Sequence, residues 1–217
     1  MTETKIPFSP KTVAVKLHKK LSQKMCEGQF IPGETISIRG LAKEYGTSVM
    51  PAREAVRWLV AEGALEFTDS RKIIVPNLTN SRYSDILFLR KSLEGEISER
   101  AFPNISAKDI NTLKTIDGLI DRAIETNDLN LYMKNNYKFH FYIYKLGDSS
   151  TILHLIELLW LQYGPSMRFI CSRWGGSTSD LDHHRSVTAA LERNDCPAFR
   201  ASIEADIELG IKLILQS

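Results

Sequence analysis

Apolar residues recur at helical intervals along most of the chain. Val13, Leu17, Leu21 and Met25 fall four apart and build one face of a helix over Lys11–Glu27. Gly28 can end that helix, and Ile31-Pro32-Gly33-Glu34 reads as a turn. A short helix follows over Ser37–Tyr45 and stops at Gly46. Thr47 or Ser48 can cap a third helix, with Pro51 near its first turn. Its apolar positions Ala52, Ala55, Val56, Leu59 and Val60 share one face, and Gly63 ends it. The pattern then changes period. Leu65–Phe67 and Lys72–Val75 read as two strands of a small hairpin with Asp69-Ser70-Arg71 at its tip.

Beyond the hairpin, Val75-Pro76-Asn77-Leu78-Thr79-Asn80-Ser81 reads as a linker, because Pro76 stops a strand and Asn and Ser favour turns. The rest is helical, over 80–102, 106–126, 128–147, 149–173, 179–193 and 195–215. The breaks are Pro103, Asn127-Asp128, Gly147-Asp148-Ser149, Gly175-Gly176 and Asp195-Cys196-Pro197. The predicted fold is mainly α. A winged helix-turn-helix occupies residues 1–76, and an all-α bundle of six to seven helices occupies 77–217.

Composition is that of an ordinary globular protein, 43% hydrophobic and 25% charged. The formal charge of +2 hides a division at Pro76. Residues 1–76 carry 12 Lys/Arg against 8 Asp/Glu, and residues 77–217 carry 16 against 18. The first part is therefore basic and the second acidic. No run approaches the length of a membrane span, and Met1–Pro10 lacks the apolar core of a signal peptide. The three cysteines, Cys26, Cys171 and Cys196, are widely spaced, which fits neither a disulfide framework nor a thiolate zinc site. A cytoplasmic, membrane-free protein is the expectation.

Helix, helix, tight turn, helix, hairpin is an arrangement suited to duplex DNA. A short second helix braces a third, whose first residues enter the major groove. Arg53 and Arg57 lie off the apolar face of that third helix, Arg39 begins the second, and Arg71 sits at the wing tip. Guanidinium groups suit guanine edges and phosphates, and Thr47 and Ser48 can donate to phosphate at a helix start.

These residues carry a resemblance. The series Ile31-Pro32-Gly33-Glu34, Arg39-Gly40-Leu41-Ala42, Gly46-Thr47-Ser48, Pro51-Ala52-Arg53-Glu54-Ala55-Val56, Leu59 and Glu62-Gly63 resembles the N-terminal domain of GntR-family transcription regulators. The resemblance covers most of residues 12–76. It implies operator contacts by Arg39, Arg53 and the Ser70-Arg71 tip. The sequence departs from the family pattern twice. Val49, followed by Met50, stands where the family usually has Arg, and Ser70 stands where the tip often has Gly. Val49 and Met50 suit a thymine methyl instead.

The second half resembles, more loosely, the helical ligand-binding domain of the FadR-like branch of that family. The residues that carry this are Asp85, Arg90-Lys91-Ser92-Leu93-Glu94, Phe139-His140, Leu146-Gly147-Asp148 and His184-Arg185-Ser186-Val187 with Ala190. The resemblance implies a divalent metal, zinc or nickel, held at the positions of Asn136, His140, His184 and Asp206. His140 and His184 keep the family's ligand type, Asn136 replaces its Asp, and Asp206 replaces its third His. Three readings stand for the histidines: metal ligands, groups lining a metal-free effector pocket, or satisfied core residues. Asn136, His140, His184 and Arg90 are the candidate effector contacts. Two readings stand for Arg90: a cavity-facing anchor for a carboxylate, or a surface salt bridge with Glu94 four residues on. Arg168 and Arg173 add positive charge, and Tyr132, Tyr137, Tyr142, Tyr144, Trp160 and Tyr163 are either pocket lining or core.

The expected protein is a DNA-binding transcription regulator, in sense a repressor, that senses a small organic acid. It would bind an operator as a homodimer paired through the helical half. The competing classes are a metal-dependent bundle enzyme using His140 and His184 and an effector-free DNA-binding protein. Against the enzyme, the chain lacks a G-x-S-x-G elbow, a P-loop and an H-E-x-x-H motif.

Overall fold

The structure is a computed structural model that describes residues 10–171 and 183–215. Its first helix, α1 (Pro10–Cys26), buries Ala14, Leu17, Leu21 and Met25, the face expected from their spacing. Helices α2 (Ile38–Glu44) and α3 (Val49–Ala61) pack with α1 around Ala52, Ala55, Val56 and Leu59. Each of the larger of these side chains contributes about 1.5–3 kcal/mol on burial. The turn between α2 and α3 passes through Gly46 at φ +61°, a left-handed conformation that costs glycine little. Ser37 caps α2 by accepting from the Gly40 amide. Ser48 occupies the capping position of α3, but its side chain makes no capping hydrogen bond.

The wing is three-stranded where two strands were expected. Strand β3 (Ile73–Ile74) pairs antiparallel with β2 (Glu66–Phe67) and also with β1 (Thr35–Ile36). The extra strand follows the Pro32-Gly33 turn, which brings Thr35 opposite Ile74. At the tip, Arg71 takes the positive φ of 60° that a glycine would accept more readily. Thr68 holds this tip, with its amide donating to the Lys72 carbonyl and its hydroxyl 2.9 Å from Ser70 Oγ.

Helix α4 (Asn80–Ala101), capped by Thr79, opens the helical half and packs along α10 (Cys196–Leu215). Helices α5 (Ala107–Glu125) and α6 (Leu129–Lys145) form a neighbouring pair, and α9 (His184–Glu192) packs on α5 and α10. The expected long helix over 149–173 is instead α7 (Ser150–Tyr163), a 3-10 turn (Gly164–Met167) and a short α8 (Arg168–Cys171). Pro165 lies in the first turn of the new segment and lacks the amide that would continue α7. Of the expected helix over 179–193, residues 179–182 lie outside the described residues, as do the Gly175-Gly176 break and Arg173.

The break serves the contact between the two halves. A Cβ on Gly164 would clash with the Met25 carbonyl oxygen, so the α7 end approaches the end of α1 backbone to backbone. Beside it, Arg168 donates to the Gly28 carbonyl at 2.9 Å, and Gln162 donates to the Glu62 carbonyl at 2.8 Å. Arg168, expected to add positive charge late in the long helix, holds this seam. One apolar cluster runs continuously through both halves. No helix among the described residues is long and apolar enough to cross a membrane.

Candidate nucleic-acid interface and candidate metal centre

The end of α3 that follows the Gly46 turn is open to solvent. Val49 is 39% exposed and Met50 61%, unusual for large apolar side chains at the start of a helix whose other face is the core. Arg53 is exposed one turn further, and Arg57 another, where it meets Glu54 at 3.4 Å. Thr47 is half-buried and Ser48 exposed. Arg39 is exposed on α2, and Ser70 and Arg71 are exposed at the wing tip. Apart from the half-buried Thr47, the expected DNA-contact residues are thus solvent-facing on α2, α3, their turn and the wing. The buried side of α3 fixes the helix without using any of them.

The buried chemistry lies in the other half. Three ligand atoms, one each from His140 on α6, His184 on α9 and Asp206 on α10, lie within 4.8 Å of one another. His140 Nε2 is 3.1 Å from Asp206 Oδ2, and the two imidazole rings stand 5.4 Å apart. Burial opposes ionisation of Asp206, but the charge of His184 and the hydrogen bond from His140 outweigh it and hold the carboxyl well below the usual carboxylate range. Asn136, one turn before His140 on α6, is buried. Asp117 on α5 places Oδ1 3.8 Å from His184 Nδ1, a neighbour that no motif marked. His183 is half-buried.

Behind His140 runs a hydrogen-bonded chain. His140 Nδ1 is 3.1 Å from the Tyr144 hydroxyl, and that hydroxyl donates to Glu94 at 2.5 Å. Tyr144 gives its single proton to Glu94, so it accepts from His140 Nδ1–H, leaving Nε2 as the atom that faces Asp206. Burial, then the charge of Glu94, push the Tyr144 phenol well above its ordinary pKa, which keeps that proton in place.

Glu94 is fully buried and ends the chain. It also accepts from Trp160 Nε1 at 3.1 Å and from Arg90, with Nε at 2.5 Å and Nη2 at 3.2 Å. Arg90 is 3% exposed, with Trp160 and Tyr163 rings 4.6 and 4.7 Å from its Cζ. The salt-bridge reading of Arg90 needs one correction. The i, i+4 bridge to Glu94 forms, but in the core rather than on the surface. The guanidinium is occupied by that carboxylate and two rings rather than held open in a cavity. Of the aromatic set, Tyr144, Trp160 and Tyr163 are core, and Tyr142 donates to Asp109.

A winged helix-turn-helix with a solvent-facing recognition end, joined to a helical bundle with a buried two-histidine, one-carboxylate cluster, defines a DNA-binding regulator with a sensor domain. Comparison with known families agrees. Residues 14–75 match the bacterial regulatory proteins of the gntR family, and residues 85–209 match the FCD domain. The chain belongs to the GntR family of regulators that carry an FCD domain. It is 22% identical to the HTH-type transcriptional regulator McbR of Escherichia coli, over 94% of each chain. It is 22% identical to the gluconate operon transcriptional repressor of Bacillus subtilis, over 87% of this chain and 79% of that one. The solved structure of E. coli McbR/YncC shares the fold, with a TM-score of 0.84 over 94% of this chain and 97% of that one at 22% identity. A putative GntR regulator from Rhodococcus does so with a TM-score of 0.78 at 17% identity, over 95% and 99%. The enzyme alternative gains no support from these relatives, which are named as regulators.

Proposed function

We propose that this regulator represses transcription by binding an operator as a two-fold dimer and releasing it when a small organic acid enters the helical half. The observation that carries the DNA assignment is the recognition end of α3. Val49, Met50, Arg53 and Arg57 are presented to solvent by a helix whose opposite face is fully buried. On this reading Arg53 and Arg57 reach guanine edges or phosphates, and Val49 and Met50 meet thymine methyls. Arg39, Thr47, Ser48, Ser70 and Arg71 position the backbone. The working boundary is Pro76, with the DNA-binding unit in 1–76 and the sensor and dimerisation unit in 77–217. A dimer also suits the modest charge of one DNA-binding unit, since two linked units multiply weak individual binding.

The donor set fits a divalent cation. His140, His184 and Asp206 supply two imidazoles and a carboxylate within one small space, a combination suited to zinc or nickel. Asn136 would add a neutral oxygen. A cation there would offer a docking point for an effector carboxylate. The chain's own part is to orient the ligands: Tyr144 accepts from His140 Nδ1, so Nε2, once it gives up its hydrogen bond to Asp206, is the nitrogen turned toward a cation, and Arg90 holds Glu94 so that Glu94 holds Tyr144. Arg90 thus supports the site from behind rather than meeting the effector.

Coupling to DNA runs through α7. Trp160 lies 5.5 Å from the His140 ring, and two residues on, Gln162 holds Glu62 at the end of α3. An effector that prefers one placement of α7 thereby prefers one placement of the DNA-binding unit. The test is a gel shift with genomic fragments from the host. Wild type retards a discrete subset, and Arg53→Ala loses it. Retention of that subset by Arg53→Ala would sink the DNA assignment.

A further inference from the structure

Helix α1 carries a feature that its packing does not require. It has five lysines, at 11, 16, 19, 20 and 24, and no acidic residue over its whole length. Lys16, Lys20 and Lys24 are spaced four apart, so like charges stack along one stripe, an arrangement that costs stability in a helix. Lys24 is neutralised within the fold by Glu44 at 2.9 Å. Lys16, Lys19 and Lys20 are exposed, and together with Gln23, Tyr45 and Thr47 they line a groove of about 330 Å³. The Tyr45 ring forms part of its wall, with Lys24 Nζ 5.0 Å and Lys20 Nζ 5.9 Å from the ring centroid.

The position of the groove identifies what it meets. Its far wall is the turn that leads into α3, so its lysines continue the surface of Thr47, Ser48 and the exposed start of the recognition helix. A duplex whose major groove receives that end of α3 carries its sugar-phosphate backbone past the turn. Phosphates spaced along a strand match ammonium groups spaced along a helix, and compact, hydrated ammonium groups suit phosphate rather than base edges.

We infer that Lys16 and Lys20 form a second DNA contact, a phosphate-binding stripe on α1 that extends the footprint beyond the helix-turn-helix and wing without reading sequence. The inference rests on the DNA-binding reading proposed above. It assigns roughly two additional phosphates to each DNA-binding unit, and these raise affinity through counterion release.

The test is fluorescence anisotropy of the full-length protein with a mixed-sequence 30-base-pair duplex across a series of KCl concentrations. Four proteins are compared: wild type, Lys16→Ala/Lys20→Ala, Lys16→Arg/Lys20→Arg, and Lys108→Ala/Lys134→Ala, which removes equal charge from the helical half. The α1 alanine pair lowers the slope of log K against log salt by about 2 per DNA-binding unit, one for each phosphate that is no longer neutralised. The arginine pair keeps the slope, and the Lys108/Lys134 pair leaves it unchanged. An unchanged slope in the α1 alanine pair overturns the inference while leaving the DNA reading intact, provided Arg53→Ala still weakens binding. An equal fall in the Lys108/Lys134 pair overturns it too, because bulk charge alone would then explain the effect. If the α1 pair keeps its duplex slope but loses retention on phosphatidylserine vesicles, the stripe serves a membrane surface instead. Failure of wild type to bind any duplex would overturn the DNA reading and this inference with it.

Discussion

The exposed end of α3 and the buried cluster behind α7 solve opposite problems. At α3 the chain keeps polar and apolar groups in water, where each is weakly held and a substitution leaves the fold alone. Arg57 makes a long 3.4 Å contact with Glu54. In the bundle, Arg90, Glu94, Tyr144, His140 and Asp206 are linked at distances of 2.5 to 3.2 Å. There each member satisfies another, so removal of one strands the rest. On the proposed function, the contrast teaches that recognition of a large, hydrated partner is written on the surface, while response to a small molecule is written into the core. Stability and function separate in the first region and are joined in the second.

Glu94→Ala should break the contrast most severely. It leaves the Arg90 charge buried without its partner and orphans Tyr144 and Trp160, at a cost of about 3–5 kcal/mol. Urea unfolding measures it, and a loss under about 1 kcal/mol would mean that the pair is dispensable. Next in size is the cation itself. Zinc or nickel at about 100 times its Kd should stabilise the wild type by about 2.7 kcal/mol. His140→Ala/His184→Ala should abolish that shift in a thermal melt, and a shift that survived would place the cation elsewhere. Tyr144→Phe should keep the cation but weaken it by about 10- to 100-fold, because His140 loses the acceptor for its Nδ1 proton. Calorimetric titration reads this, and unchanged affinity would remove Tyr144 from the site. The smallest effect on stability belongs to Arg53→Ala, whose unfolding free energy should stay within about 0.5 kcal/mol of wild type. A larger loss would show that the recognition end is not free of the core after all.

The same contrast decides what could be read from the sequence. The helix-turn-helix was legible because its signals are local: apolar positions spaced for one face, and a Gly46 turn between two short helices. The expected helix boundaries there fall within a residue or two of those observed. Strand β1 was missed because Thr35–Ile36 is two residues long and owes its strand character to pairing with Ile73–Ile74. The break at Gly164 was missed because the apolar pattern continues through it, although the Gly-Pro pair was a signal. Arg90 was ambiguous in principle, since an i, i+4 pair looks the same in a sequence whether it faces water or a core. Family resemblance pointed to His140, His184 and Asp206, which the fold brings together. Asp117, by contrast, reaches His184 only through the packing of α5 on α9, which no local pattern encodes.

The central claim, that the exposed end of α3 reads DNA as one half of a two-fold pair, is tested most directly by selecting duplexes from a random pool with wild type and with Arg53→Ala. The account predicts that wild type enriches a motif of two inverted half-sites, and that Arg53→Ala loses the motif or relaxes one base position in each half-site. No enrichment by wild type, a single unpaired half-site, or the same motif recovered by Arg53→Ala would contradict it.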